Sequence, residues 1–364
     1  MLSTEERKKL ARNENTQVGT LTALIEDNDM GVRESVAQNP NTTTEVLIQL
    51  AKDEYSDIRY GVAQNPNTTT EILIQLAMDE YWRVRQAVAE NQNTLPTTLA
   101  ELAKNDIWVV REGVAQNPNT PADMLGKLAN DEYWRVRQVV AENQNATAEV
   151  LAKLSGDEYW RVRKAVAQNQ NATAEALAKL SGDKDDEVCR CAAKNPNTPA
   201  EMLAKLAWDE SEGVLYSVAE NPNTPVDVLT KLASDLNSYV RQLVAHNIRT
   251  PAAVLIKLAE DKDADVRQGV VQNPGTPADV CQKLYNEVVQ QNKLDEDIAT
   301  KVVQRNILPE TEVLALVALY GQRVAQSAAE SMAVKKNSLL EKVLVEYDCV
   351  PQRKPEKQRA NLLK

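Results

Sequence analysis

The sequence predicts an all-α solenoid of about eleven two-helix repeats, each 26 residues long, followed by a helical C-terminal cap. Three observations carry this reading. Asn13, Asn39, Asn65, Asn91, Asn117, Asn143, Asn169, Asn195, Asn221, Asn247 and Asn273 follow one another at intervals of 26 without a slip. A period of 20–50 residues marks stacked supersecondary units. Apolar residues keep the same register: Leu stands eight after the asparagine from Leu47 to Leu255 and eleven after it from Leu24 to Leu284. Val or Ile stands seven before it from Val32 to Val266. Aromatics are 4% of the chain and Phe is absent, so the core must be aliphatic.

Within a repeat the first element is a leucine helix. In Thr120-Pro-Ala-Asp-Met-Leu-Gly-Lys-Leu-Ala129, Met124, Leu125 and Leu128 share one helical face. Thr120 is read as the N-cap, Pro121 as the first helical residue and Asp123 as the completion of a capping box. Thr198/Glu201, Thr224/Asp227 and Thr276/Asp279 repeat the pattern. The second element is an arginine helix, as in Asp131-Glu-Tyr-Trp-Arg-Val-Arg-Gln-Val-Val-Ala-Glu142, with Asp131 read as its N-cap. Val136 and Val140 fall on one face, and the helix stops at the asparagine. Pro follows that asparagine at Pro40, Pro66, Pro118, Pro196, Pro222 and Pro274, which makes Asn-Pro-Asn-Thr a turn. A 26-residue unit cannot bury its apolar face alone, so neighbours must share one core.

The register breaks after Tyr285, which places the boundaries at residues 1–285 for the solenoid, 286–347 for degenerate repeats and a helical cap, and 348–364 for a basic disordered tail. Asn306 opens a turn and a further leucine helix, and residues 323–347 read as amphipathic helix closing the core.

The order Val-Arg, Val-Ala, Asn-Pro-x-Thr-Pro and Leu-x-x-Leu-Ala, seen whole in residues 110–129, resembles the leucine-rich repeat variant (LRV) family, over residues 1–285. The resemblance implies a right-handed superhelix of alternating helices. The family's usual unit is two residues shorter, and the longer unit here predicts α-helices in both halves. Asp followed by Val-Arg is also similar to HEAT repeats, which implies that the arginine helices line the concave side. Some LRV proteins carry an iron–sulfur cluster on an N-terminal cysteine segment. Cys189, Cys191, Cys281 and Cys349 match no such segment, so no cofactor is expected.

Repetition turns each register position into a row. Arginine stands six before the asparagine in nine repeats, Cys189 and Leu215 being the exceptions. Its guanidinium fork suits bridging of adjacent repeats, through the Asp row (Asp27, Asp53, Asp79, Asp131, Asp157, Asp235, Asp261) and turn carbonyls. The asparagine row should satisfy backbone groups orphaned at helix ends. The aromatic row is local. Trp82, Trp108, Trp134 and Trp160 occupy one register position in four consecutive repeats, preceded by Tyr81, Tyr133 and Tyr159 and followed by Arg83, Arg135 and Arg161. At about 100° per residue, Trp134 lies about 160° from the inward Val136. These ten residues are the candidate partner-binding stripe, since aromatics and Arg dominate binding hot spots. The bland alternative is lateral packing of each indole on its neighbouring helix.

Catalysis finds no convergent groups. The single histidine, His246, sits at a variable position, and no Gly-rich phosphate loop is present. A net charge of −11 argues against a general nucleic-acid binder. No apolar run reaches the ~18 residues of a membrane span, and the charged start lacks a signal peptide's apolar stretch. The reading is a cytoplasmic, non-enzymatic scaffold holding a protein or peptide on its concave face, without metal or membrane. Two alternatives stay open: nucleic-acid binding or HEAT-like base-lesion recognition, and an accessory, bilin-lyase-like subunit.

Overall fold

The computed structural model describes residues 2–290, 296–304, 308–331, 339–347 and 349. It is all-helical, with 26 helices and no strand among the described residues. The chain divides into two compact units, residues 1–199 and 200–364.

In the first unit the register becomes structure with little variation. Arginine helices of nine residues, Met30–Gln38, Ser56–Gln64, Trp82–Glu90, Trp108–Gln116, Trp134–Glu142 and Trp160–Gln168 among them, each stop at the residue before the repeat asparagine. Leucine helices of seven residues, such as Thr70–Leu76, Ala122–Leu128 and Ala148–Leu154, alternate with them. Both kinds are α-helical, as the longer unit predicted. Neighbouring arginine helices pack side by side in one layer, and each leucine helix leans mainly on the arginine helices beside it in sequence. The core between the layers is the aliphatic set read from the register: Leu99, Leu125, Leu151, Val110, Val136 and Val162 are fully buried. Gly61 and Gly113 let the arginine helices approach closely, since a Cβ there would lie 3.1 Å from the Cβ of Ala37 or Ala89.

The asparagine row is the seam of this packing. Asn117 is buried, and its Nδ2 donates to the carbonyls of Ala89 (2.7 Å) and Asn91 (2.9 Å), at the end of the previous repeat's arginine helix. Its Oδ1 accepts the N–H of Asn119 at 2.9 Å. Asn39, Asn65, Asn91, Asn143, Asn169 and Asn195 repeat the arrangement. One side chain thus shapes its own turn and ties it to two carbonyls at the end of the neighbouring repeat's helix.

Two expected caps are corrected. Thr120 is not an N-cap: the helix starts at Ala122 with Pro121, extended at ψ 150°, in the cap position and no side-chain cap bond. The Thr120 hydroxyl instead donates to the carbonyl of Val114, closing the preceding arginine helix. Thr198, Thr224 and Thr276 bond backward in the same way, to Ala192, Val218 and Val270, and the helices after them start two residues later, at Ala200, Val226 and Ala278. Nor is Asp131 an N-cap: Tyr133 holds that position, and the Asp131 carboxylate accepts the Tyr133 N–H in a turn ahead of the helix.

Ala146 and Ala172 are buried where other repeats bury this threonine. Ala146→Thr is expected to stabilise the first unit by about 0.5–1.5 kcal/mol, through a new bond to the Val140 carbonyl. Ala146→Val, with the bulk and no hydroxyl, is the control. Equal urea midpoints for the two variants would refute the hydrogen-bond account.

In the second unit, helices Glu212–Glu220, Ser238–His246 and Ala264–Gln272 pack in series, continued by Glu296–Gln304 and Gln322–Ser331. Ser331 Oγ donates to the carbonyl of Val303, 28 residues back, the same offset as Asn247 to Ala219. Glu310–Tyr320 packs on these helices and turns into Gln322–Ser331 at Gly321, whose φ of +75° suits glycine. Leu339–Glu346 covers both, with Leu340 and Leu344 buried. Asn306 and nearly all of the basic tail lie outside the described residues.

Candidate functional site

The arginine row is internal. Arg111 Nε and Nη2 meet the two carboxylate oxygens of Asp131, in the next repeat, at 2.6 and 2.9 Å. Its Nη1 donates to the carbonyls of Asn105 and Asp106 in its own repeat. Arg33–Asp53, Arg59–Asp79, Arg137–Asp157, Arg163–Asp183 and, in the second unit, Arg241–Asp261 form the same fork. Each pair joins neighbouring repeats and is mostly buried, as the bridging reading required. The partner carboxylate belongs to the following repeat; the arginine's own aspartate row supplies only a carbonyl.

The tyrosines lid this ladder. The guanidinium of Arg59 lies over the Tyr81 ring at 5.5 Å, Arg111 over Tyr133 at 5.7 Å and Arg137 over Tyr159 at 5.6 Å. Each ring is roughly half exposed, so it shields an ion pair on one side and meets solvent on the other. Tyr55 does the same above Arg33.

The tryptophans open their helices as the first helical residue. Trp108, Trp134 and Trp160 rest partly buried against the core, and Trp82 is 38% exposed. Trp108 stacks on Tyr133 and Trp134 on Tyr159, with centroids 5.6 and 5.7 Å apart and planes 19° from parallel. Exposed arginines lie across the indoles: Arg83 over Trp82 at 5.5 Å, Arg135 over Trp108 and Trp134 at 5.7 and 5.6 Å, and Arg161 over Trp134 and Trp160 at 5.5 and 4.7 Å. The structure therefore brings Trp108, Trp134, Trp160, Tyr133, Tyr159, Arg135 and Arg161 into one connected stack, while Trp82 with Arg83, and Tyr81 over Arg59, lie at the preceding arginine helix. Arg137, adjacent to Trp134 on the helical wheel, is not part of its surface; it lies beneath Tyr159 in the buried ladder.

Two neighbours were not singled out from sequence. Lys164 reaches Trp160 at 5.7 Å while pairing with Glu187. Glu112 stands one turn beyond Trp108. Burial raises its carboxyl above the ordinary glutamate value, Glu90 and Glu142 add repulsion, and Arg135 opposes them. The spacing of four from Trp108 was the available signal. Among the described residues, no three His, Cys, Asp or Glu side chains are placed to hold a metal ion, and no helix is long and apolar enough to cross a membrane.

Comparison with known proteins matches residues 108–132 to the leucine rich repeat variant family. No curated protein matches the chain. Among solved structures, a leucine-rich repeat variant with a novel repetitive structural motif is 23% identical, with a TM-score of 0.44, over 63% of this chain and 88% of its own. Importin beta is 13% identical with a TM-score of 0.37, over 95% of this chain and 57% of its own. A chain of the AP-3 complex is 12% identical with a TM-score of 0.30, over 90% and 71%. The chain is built of two-helix repeats, and one stretch of them, residues 108–132, matches the leucine rich repeat variant family.

Proposed function

We propose that the protein is a non-enzymatic scaffold that holds a protein or peptide partner on the concave side of its arginine-helix layer. The observation that carries this reading is the row of partly exposed indoles, Trp82, Trp108, Trp134 and Trp160, with Arg83, Arg135 and Arg161 lying on them. Core packing alone does not call for it. Ser56, Asp186, Glu212 and Ser238 hold the same register position in other repeats, and their helices form equally well. Large planar side chains with few rotors, already stacked, lose little entropy when a partner covers them. The close packing of successive arginine helices supports placing this layer on the inner curve.

The test is Trp108→Ala combined with Trp134→Ala. Wild type immobilised in native extract is expected to retain partner proteins that the double variant loses by at least tenfold. Each hot-spot aromatic is worth about 2 kcal/mol or more. Circular dichroism and the melting profile should show the helices kept. Equal capture by a folded double variant would refute the reading. The excess of acidic charge weighs against nucleic acid as the occupant.

A further inference from the structure

The four indoles are not equally furnished. Trp134 carries a guanidinium from its own helix and one from the next, Arg135 at 5.6 Å and Arg161 at 5.5 Å. Trp160 carries Arg161 and the ammonium of Lys164. Trp108 meets Arg135 from the next repeat and none from its own, whereas Trp82 meets its own Arg83 and none from the next. Both deficits trace to one residue. Val109 stands at the register position of Arg83, Arg135 and Arg161. An arginine there would lie on Trp108 and reach back to Trp82, as Arg135 lies on Trp134 and reaches back to Trp108.

The same junction departs from the repeat twice more. Ile107 replaces the tyrosine that covers Trp108 and Trp134 at the following junctions, and Asn105 replaces the ladder aspartate. Trp82 is the most exposed indole of the stripe. Charge around the interval is mixed. Arg83 crosses Trp82, and Arg85 is held by the carbonyls of Asp79 and Glu80, with the Asp106 carboxylate 3.9 Å away. Glu112 stands one turn beyond Trp108 and Glu90 two turns beyond Trp82. An indole face attracts a cation most strongly of the aromatic rings, and guanidinium adds planar stacking.

We propose that the interval between Trp82 and Trp108 is the specificity-determining slot of the stripe, and that it takes the guanidinium of an arginine side chain of the partner. The partner's arginine occupies the place that Arg135 and Arg161 fill at the next two junctions. This rests on the stripe being the partner surface and adds the chemistry of the group recognised.

The test uses the full chain with its tryptophan indoles isotopically labelled, titrated with acetyl-Gly-Arg-Gly-amide. The citrulline tripeptide serves as the uncharged isostere. The arginine peptide is expected to shift the indole N–H signals of Trp82 and Trp108, leaving Trp134 and Trp160 in place. The citrulline peptide should bind about tenfold more weakly, the ratio two cation–π contacts supply. Val109→Arg fills the slot from within and should abolish the shifts. Gln116→Arg adds the same charge at an exposed site on the same helix and should leave them. Equal shifts at all four indoles, equal binding of citrulline, or an undiminished response in a folded Val109→Arg protein would each overturn the proposal. The two readings fail separately: partner capture lost with the tryptophans yet intact in Val109→Arg sinks the slot and leaves the stripe.

Discussion

Asn117→Ala is expected to lower the stability of the first unit by about 3 kcal/mol or more. The side chain is buried and meets three backbone groups, the carbonyls of Ala89 and Asn91 and the N–H of Asn119. Truncation removes their side-chain partner where water has poor access, and each buried group left short of a partner costs about 1–3 kcal/mol. The carbonyls keep whatever backbone bonds they make, so the sum falls toward the lower end. Stability in repeat arrays resides largely between neighbours, so the loss should be local. Amide exchange should quicken first in residues 82–90 and 108–116, and the urea midpoint of the first unit should fall. Asn117→Asp sharpens the test. It keeps an acceptor for Asn119 but turns a second oxygen toward two carbonyls. It should be at least as damaging near neutral pH. Burial and the carbonyl dipoles raise the folded-state pKa of such a group, so stability should recover as pH falls and the protonated carboxyl becomes a donor. An unchanged midpoint in Asn117→Ala would show that the asparagine row marks the repeat without holding it.

That row was the most legible feature of the chain, and its limits are instructive. The 26-residue stride, the buried leucines and the end of each arginine helix followed directly from the residues. The recipient of the asparagine's hydrogen bonds did not. It lies 28 residues back, and only the offset between stacked repeats puts Ala89 beside Asn117. Thr120 was misread for a related reason. Thr-Pro-x-Asp is a good local capping box, but the hydroxyl found a buried carbonyl at Val114, and Pro121 kept the chain extended one residue longer. Thr42 and Thr68 bond backward although no proline follows them, so the buried carbonyl decides; Thr147 and Thr173, which do cap their helices, stand one place later, at the register of Pro121. Local pattern and tertiary partner compete for one hydroxyl, and burial decides. The stripe was legible as a row, because four tryptophans at one register position need no structure to be seen. Its internal stacking was not, since the arginine on each indole comes partly from the next repeat: Arg161, named with Trp160, also lies on Trp134.

The ladder contains its own natural variant, and repairing it should stabilise the protein. Arg85 faces Asn105 where its counterparts face aspartate. A carboxylate offers the guanidinium two acceptor oxygens, whereas an amide offers one, and that one is already bonded to the N–H of Ile107. Arg85 Nη2 accordingly stands 3.5 Å from Asn105 Oδ1, against 2.9 Å for Arg111 and Asp131, and the buried Arg85 Nε has no partner. Asn105→Asp supplies the missing oxygen and is expected to stabilise the first unit by about 1–3 kcal/mol, the cost of one buried donor left unmet. Asp131→Asn makes the opposite change at Arg111 and should destabilise by about 3 kcal/mol, because it leaves a mostly buried cation half-paired. The pH dependence separates an ion pair from a mere gain in packing. Asp261, which the Arg241 guanidinium holds below the ordinary aspartate value of 3.8, gives the direction expected of a carboxylate newly placed at position 105. A carboxyl depressed in the folded state stabilises fully above its unfolded pKa and loses that contribution as pH falls through the folded one. The advantage of Asn105→Asp over wild type should therefore be complete at neutral pH and shrink as acid carries the solution below about pH 4. Urea midpoints measured across that range decide the matter: a gain that persists undiminished in acid, or no gain at neutral pH, would mean that the amide at position 105 costs the ladder nothing.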